Sequence, residues 1–361
     1  MRIGILGGGQ LARMLALGGH PLGATFVILD PVHDACASAV ARHITGDYTD
    51  QEKLKQFAGM IDIVTYEFEN VPAEAVEYLA TKLPVYPPVH ALAMSRDRLY
   101  EKSLFRDLGI PTPKFFNVTS LDELRQAAKE VGLPAVLKSR TLGYDGKGQA
   151  VIRSMDELEN AWSSRLAGVD CILEAFVNFK REISVVAVRS RAGEIIFYPV
   201  GENVHSEGIL RHSVCSLNDP MQKLAEDYIT RLLNNFDYVG VMALELFDTG
   251  GELMANEIAP RVHNTGHWTI EGAQTSQFEN HIRAIMGLPL GGTSPIGHCA
   301  MINFIGTIPP PAPVLEIKGA HYHNYGKAPV PGRKLGHVTV CGENQKEVKA
   351  GMKKVLALIA G

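Results

Sequence analysis

An α/β protein assembled from more than one lobe, some of them α+β, is predicted by three features of the sequence. The first ninety or so residues alternate short apolar runs with helical stretches, which is the βαβ pattern of a parallel sheet. A Gly-rich loop, Thr141 to Gly148, lies between two short strand-like runs. Further on, two glutamates, Glu245 and Glu257, flank the turn Asp248-Thr-Gly-Gly251. At 361 residues the chain is long for one hydrophobic core and suggests two or three lobes.

The elements follow in order. Arg2 to Leu6 reads as a buried strand, Gln10 to Leu17 as the start of a helix, Thr25 to Asp30 as a second strand and Ile61 to Tyr66 as a later one. Pro72 to Leu83 is a helix with proline in its first turn. Pro84, Pro87 and Pro88 mark a boundary. Ser95 to Leu108 reads as one amphipathic helix, closed by Gly109 and prevented from continuing by Pro111 and Pro113. Ser120-Leu-Asp-Glu123 and Ser154-Met-Asp-Glu157 match the capping box and start two helices. Strands Ala135 to Ser139 and Gln149 to Arg153 lie between them, so residues 114–170 form a small α+β lobe. Arg181 to Ser190 and Glu194 to Val200 alternate about Ala192-Gly193. Helices at Pro220 to Phe236 and Ser276 to Met286 bracket the two-glutamate hairpin. From about residue 298 strands and turns dominate, ending in a helix over Lys346 to Ile359.

Bulk properties remove several classes. A formal net charge of −4 argues against a nucleic-acid surface, which needs a basic face. No apolar run reaches the ~18 residues that span a bilayer, so no membrane segment is expected. The start, Met1-Arg-Ile-Gly-Ile-Leu-Gly-Gly-Gly9, reads as strand and turn rather than a signal peptide. Cys36, Cys171, Cys215, Cys299 and Cys341 are scattered without CxxC spacing, which suits free thiols in a reducing cytoplasm.

The densest chemistry lies in Asn256-Glu-Ile-Ala-Pro-Arg-Val-His-Asn-Thr-Gly-His-Trp268. A core strand cannot bury so many polar groups without partners, and a solvent loop would not carry Trp, Ile and Pro among them. The segment reads as the floor of a site for anions and a metal. With the hairpin centred near Gly251, alternation projects Glu245 and Glu257 from one face. Two such carboxylates repel unless a cation sits between them, and carboxylates with phosphate oxygens are the usual surroundings of Mg²⁺.

Other motifs admit more than one reading. Gly7-Gly-Gly-Gln-Leu-Ala12 matches G-x-G-x-x-A, with Asp30 spaced for a ribose contact, as in nicotinamide-binding proteins. A phosphate at the helix N-terminus, or a plain tight turn, fits the same glycines. Gly143-Tyr-Asp-Gly-Lys-Gly148 lets backbone amides approach an anion, Lys147 adds charge, and Lys138 can reach phosphates from the preceding strand. It lacks the lysine–hydroxyl ending of a Walker loop, so it reads as a lid over a triphosphate or as a solvated turn. The backbone of Glu174-Ala-Phe-Val177 suits an adenine edge and Glu182 a ribose, although Glu182 alone fits a solvent-facing strand position equally. Glu67, in Tyr66-Glu-Phe-Glu-Asn70, follows a strand end where ligand crevices form. It reads as a partner for a substrate amine or imidazole, or as a surface acid before a helix. Lys327 to His337 gathers cations around a turn, either a second phosphate clamp or a solvated loop.

Together these pieces resemble the ATP-grasp superfamily and, within it, the N5-carboxyaminoimidazole ribonucleotide synthetase family. The resemblance runs in order along nearly the whole chain. It includes Gly7-Gly-Gly-Gln-Leu11, Tyr66-Glu-Phe-Glu-Asn70, Gly109-Ile-Pro-Thr-Pro113, Gly143-Tyr-Asp-Gly-Lys-Gly-Gln149, Glu257-Ile-Ala-Pro-Arg-Val-His-Asn264 and Pro331-Gly-Arg-Lys-Leu-Gly-His337. The first and the last two are the specific ones; the glycine loop and the paired acids alone would indicate only ATP-grasp. The resemblance implies an ATP-grasp fold: a Rossmann-like N-terminal domain over 1–90, a linker helix and ATP-binding lid over 91–172, a C-terminal lobe over 173–300, and a small β-rich extension with a terminal helix over 301–361.

The same resemblance implies roles. Arg98, Lys138 and the loop Gly143, Tyr144, Asp145, Gly146, Lys147, Gly148 and Gln149 would hold ATP phosphates. Glu174, Ala175, Phe176 and Val177 would meet adenine and Glu182 the ribose. His205, Asn256 and Glu257 would lie near the nucleotide, with Glu245 and Glu257 holding Mg²⁺. Gln10, Glu67, Arg261, His263, Asn264, Lys327, Arg333 and Lys334 would surround aminoimidazole ribonucleotide and bicarbonate. Arg261, His263, Tyr144, Lys147 and Glu67 would be catalytic. Lys147 stands where many relatives carry arginine, which keeps the charge but loses a bidentate fork. The implied protein is a cytoplasmic homodimer that makes N5-carboxyaminoimidazole ribonucleotide from ATP, bicarbonate and 5-aminoimidazole ribonucleotide in purine biosynthesis. It would hand its product to a mutase and bind neither nucleic acid nor membrane. Two other readings stay in view. A nicotinamide-dependent oxidoreductase rests on Gly7 to Ala12 and Asp30, and leaves the acidic hairpin and the Gly-rich loop unexplained. A non-catalytic nucleotide-binding regulator on the ATP-grasp frame is opposed by the intact pair Glu245 and Glu257.

Overall fold

Near-continuous apolar runs make the first strands, because a parallel sheet covered on both faces has no solvated side. The computed structural model describes residues 1–141, 143, 148–165 and 168–360. In it, Arg42–Thr45, Thr25–Asp30, Arg2–Leu6 and Ile63–Tyr66 form, in that spatial order, a four-stranded parallel sheet. The helix Gln10–Gly19 leaves the first strand through Gly7, whose φ of +102° excludes an ordinary side chain.

A second four-stranded sheet, antiparallel, runs Phe115–Val118, Cys171–Ala175, Ala135–Ser139, Gln149–Ile152. The third is antiparallel and nine-stranded. It begins at the hairpin Leu253–Ala259 and Gly240–Asp248 and continues through Arg181–Arg189, Gly201–Ser206, Ile209–Cys215, His298–Ile305, Lys334–Gly342 and Ala320–Asn324, with Ile195–Phe197 pairing Arg181–Arg189. The strands beyond residue 298 therefore extend the central sheet. The first sheet is fastened to this one by a shared core in which Ile5, Leu15 and Ile28 join Val241, Trp268 and Phe278. At that seam the Val241 amide donates to His281 Nδ1 at 3.1 Å, leaving Nε2 to meet Thr65 Oγ1 at 2.9 Å. Burial lowers the pKa of His281 to about 3, so the ring is neutral.

Three local expectations are corrected. The helix expected over Ser95 to Leu108 begins only at Arg98 and runs Arg98–Asp107, while Ser95 ends a separate helix, Val89–Ser95. Asp97 separates them, because its carboxylate accepts the Leu99 amide at 2.8 Å and restarts the helix. Ser120 caps its helix as expected, but Glu123 accepts the Thr119 amide at 2.7 Å rather than that of Ser120. Ser154 makes no side-chain cap; Glu157 accepts the Arg153 amide at 2.7 Å and the chain enters through a single 3₁₀ turn, Met155–Glu157.

Candidate active site

A cavity of about 1090 Å³ opens where the three sheets meet, and most of the residues singled out in the sequence line it. The hairpin supplies its floor. Phe247 pairs Met254 and Leu246 pairs Ala255; the register then slips, so that Glu245 faces Glu257 and Asn256 is the extra residue of a β-bulge. Directly opposed residues share a face of the sheet, and the bulge brings Asn256, Glu257 and Glu245 all onto the cavity wall. Without the slip Glu245 would oppose Asn256. Burial, and then the facing Glu257, push the pKa of Glu245 up.

Two opposed acids suit a hard divalent cation that takes its other ligands from phosphate oxygens and water. Among the described residues no group of three or more His, Cys, Asp or Glu is arranged to hold a metal. The pair therefore fits a metal shared with a phosphate ligand better than a closed protein cage. His263 stands beside it, with Nε2 3.4 Å from Glu245 Oε1. His263 Nδ1 caps the short helix that follows, 3.4 Å from the Thr265 amide and 2.9 Å from Thr265 Oγ1. Burial, with Arg261 and Lys334 nearby, holds the pKa of this imidazole well below its ordinary value. On the next strands His205 Nδ1 lies 2.5 Å from Glu182 Oε2. Burial disfavours charge on His205, yet Glu182, Glu245 and Glu257 leave its pKa raised.

The Gly-rich loop side is built on lysines. Glu174 is 2% exposed, with Oε2 3.0 Å from Lys138 Nζ and 3.5 Å from Lys102 Nζ. Burial would raise its pKa, but the two lysines lower it to about 2. Glu174 Oε1 is buried without a partner, and Ala175, Phe176 and Val177 continue along the cavity wall. Arg98 lines the cavity too, but its guanidinium donates to the carbonyls of Ser139 at 3.0 Å and Gly143 at 3.1 Å. It thus fastens the base of the loop, a role the phosphate expectation did not include. Gly143 and Gln149 line the cavity, and Gly148 closes the hairpin by accepting the Ser139 amide at 2.8 Å. Tyr144, Asp145, Gly146 and Lys147 lie outside the described residues.

The glycine turn at the N-terminus is filled by the protein's own acids. The Gly8 amide donates to Asp30 Oδ2 at 2.7 Å, and the Val32 amide to Asp30 Oδ1 at 2.7 Å. The Gly9 amide donates to Glu67 Oε1, and the Ala12 amide to Glu67 Oε2 at 2.9 Å. These bonds correct two expectations: Asp30 is engaged and is not poised for a ribose, and the amides of Gly8, Gly9 and Ala12 are not open to a phosphate. Glu67 accepts one amide on each oxygen and still lines the cavity, so contact with a substrate is not closed to it. Nor is Glu67 a surface acid: it is 9% exposed, and burial raises its pKa despite the two amides. A Cβ on Gly9 would stand 2.5 Å from Glu67 Oε1, so this close approach requires glycine.

The far end of the cavity is basic. Lys327 donates to Gln10 Oε1, and Arg333 reaches the Ala328 carbonyl at 3.4 Å, with Lys334 on the same wall. Arg261 is held by Glu69, Nε to Oε2 at 2.6 Å, and donates from Nη1 to its neighbour's carbonyl, Val262 O, at 3.1 Å. The amide of Asn264, on the cavity wall, is tied to Asn303 in both directions, at 3.1 and 2.7 Å. Reading the sequence missed Glu69, Asn303, the buried pair Glu101 and Lys102, and the stacked rings of Phe179 and Phe247, 4.9 Å apart. Of these Phe247 had a signal, since it is two residues from Glu245 and shares its face, and so had Glu69, which lies in the motif Tyr66 to Asn70.

The fold and this arrangement define an ATP-grasp protein. Three family models match in order: the ribonucleotide synthetase preATP-grasp domain on residues 1–96, the ATP-grasp domain on 103–278, and the phosphoribosylaminoimidazole carboxylase C-terminal domain on 299–351. The N5-carboxyaminoimidazole ribonucleotide synthase of Pseudomonas aeruginosa is 56% identical over 359 residues, 99% of each chain. The crystal structure of the Thermus thermophilus synthetase superposes with a TM-score of 0.95 at 51% identity, covering 99% of both chains. The Aspergillus clavatus synthase in complex with ADP and 5-aminoimidazole ribonucleotide superposes at 0.92 and 30% identity, covering 99% of this chain and 98% of that one. The chain belongs to the N5-carboxyaminoimidazole ribonucleotide synthase family.

Proposed function

We propose that this chain is an ATP-dependent carbon–nitrogen ligase that carboxylates 5-aminoimidazole ribonucleotide: ATP, bicarbonate and the ribonucleotide give ADP, phosphate and N5-carboxyaminoimidazole ribonucleotide. The observation that carries the reading is the single cavity. It connects the Lys138 and Glu174–Val177 wall, the carboxylate pair and the cationic end at Lys327 and Arg333, with room for a nucleotide and a second anionic substrate side by side.

Bicarbonate oxygen attacks the γ-phosphorus, ADP leaves, and carboxyphosphate forms. The exocyclic amine then takes the carboxyl carbon, releasing phosphate and a proton. Glu245 and Glu257 would hold Mg²⁺, which offsets charge on the transferring phosphoryl group when bound. Lys138 presents a cation on the same wall. Arg261, fixed by Glu69, orients bicarbonate with the neutral ring of His263 beside it. Gln10, Lys327, Arg333 and Lys334 receive the ribonucleotide. Glu67 supports this end by setting the helix that carries Gln10.

The nicotinamide reading loses its support, because Asp30 and the glycine turn are mutually satisfied. We further propose, on the sequence resemblance alone, a cytoplasmic homodimer that passes its product to a mutase. No helix among the described residues is long and apolar enough to cross a membrane. ADP release with Mg-ATP and bicarbonate, with and without the ribonucleotide, tests the function. Strong stimulation with one carboxylated product per ADP is expected. ATP binding without stimulation would instead favour the regulator reading or another acceptor.

A further inference from the structure

Two adjacent charged residues are buried on the helix that reads from the sequence as amphipathic. Glu101 and Lys102, on the helix Arg98–Asp107, are 2% and 1% exposed. Charges this deep are retained only with partners, and the partners here are specific. Lys102 Nζ donates to the carbonyls of Asn256 at 2.7 Å and Ala255 at 3.3 Å, while Glu101 Oε1 accepts the Ile258 amide at 2.7 Å. The bonds fall on either side of Glu257. They also fall at the bulge, where an extra residue leaves the strand ladder incomplete. Lys102 Nζ lies 3.5 Å from Glu174, at the head of the strand end proposed to meet adenine.

We infer that Glu101 and Lys102 are a positioning pair: one dipeptide grips the backbone on both sides of Glu257 and ties it to Glu174, so that the metal end and the base end of the nucleotide site keep one spacing. Neither side chain is asked to touch a reacting atom. A lysine suits the task because a single ammonium can satisfy two carbonyls and a carboxylate at once. The inference rests on the reading of Glu257 as a ligand to Mg²⁺.

The test is ADP binding by calorimetry, with and without Mg²⁺, in Lys102→Met, Glu101→Leu, Glu101→Gln and Glu257→Gln, each checked for cooperative thermal unfolding. Supports of metal ligands change affinity by about 10- to 100-fold. Lys102→Met and Glu101→Leu should each lose about tenfold or more of the gain in ADP affinity that Mg²⁺ confers, with binding in EDTA shifted less than about threefold. Glu101→Gln keeps an oxygen for the Ile258 amide and should recover most of that gain. If Lys102→Met does not fold, Lys102→Gln, which keeps two N–H donors, must show a smaller loss in the same direction. A folded Lys102 variant with an unchanged Mg²⁺ gain, while Glu257→Gln loses it, overturns the pair's role. An unchanged gain in Glu257→Gln instead overturns the metal reading on which it rests.

Discussion

Replacing Glu67 separates a supporting role from a substrate-binding one. Its two oxygens accept the Gly9 and Ala12 amides at the start of the helix Gln10–Gly19. A hydrogen bond to a charged group contributes about 1.5–3 kcal/mol, and a carboxylate at a helix N-terminus adds up to about 1 kcal/mol at ordinary exposure. Truncation to alanine would lose both bonds, nominally about 3–6 kcal/mol. The residue lines an open cavity, so water can reach the freed amides and the loss falls below that nominal range, to about 2–3 kcal/mol. Glu67→Gln keeps one acceptor but turns an amide donor toward the other N–H, and should lose about 1–2 kcal/mol. Urea unfolding followed by the fluorescence of Trp268, which shares a core with Leu11 and Leu15, measures both. Hydrogen exchange at Gly9 and Ala12 shows whether the cap itself has opened. A loss below about 0.5 kcal/mol for Glu67→Ala, within the ordinary range of surface substitutions, would refute the capping role. A large rise in KM for the ribonucleotide with unchanged stability would return Glu67 to direct substrate contact.

Three further outcomes are expected. Arg261→Ala should lose carboxylation far more than ATP binding, and turnover within a few-fold of wild type would remove Arg261 from the bicarbonate site. Glu174 has its pKa lowered from 4.5 to about 2, so its contribution is complete above pH 4.5 and fades as pH falls toward 2. At about 1.36 kcal/mol per pKa unit this is roughly 3 kcal/mol, and urea titrations below pH 4.5 should show a shallower acid limb in Glu174→Gln than in wild type. Asn303→Leu should lower kcat as well as stability by about 1–3 kcal/mol, because it removes both bonds that hold the half-buried amide of Asn264 beside the site; unfolding curves together with kcat against KM decide it.

Much of the fold and part of the site are local enough to be legible in the chain. The apolar runs around Ile5 and Ile28 specify buried parallel strands, and the glycines before Gln10 specify a tight strand-to-helix turn. The separation of Glu245 from Glu257 about one turn places both on a hairpin, because side chains alternate with period two. Those relations need only neighbouring residues. What the sequence did not disclose depends on approach across the chain. The bulge at Asn256 arises from how Gly240–Asp248 and Leu253–Ala259 fit the rest of the central sheet, and it alone brings Glu257 opposite Glu245. Glu67 lies 55 residues from Ala12, and Glu101 lies 157 from Ile258. No local pattern marks those acids as engaged, since an isolated carboxylate reads the same whether it faces water, a metal or a backbone amide. Hence residue types alone proposed ligands at Asp30, Glu67 and Asn264, and tertiary packing assigned each of them a partner within the protein. Composition and spacing determined which chemistry could gather here; the meeting of three sheets determined which groups remain open to the cavity, because a polar group that is buried takes the nearest matching partner.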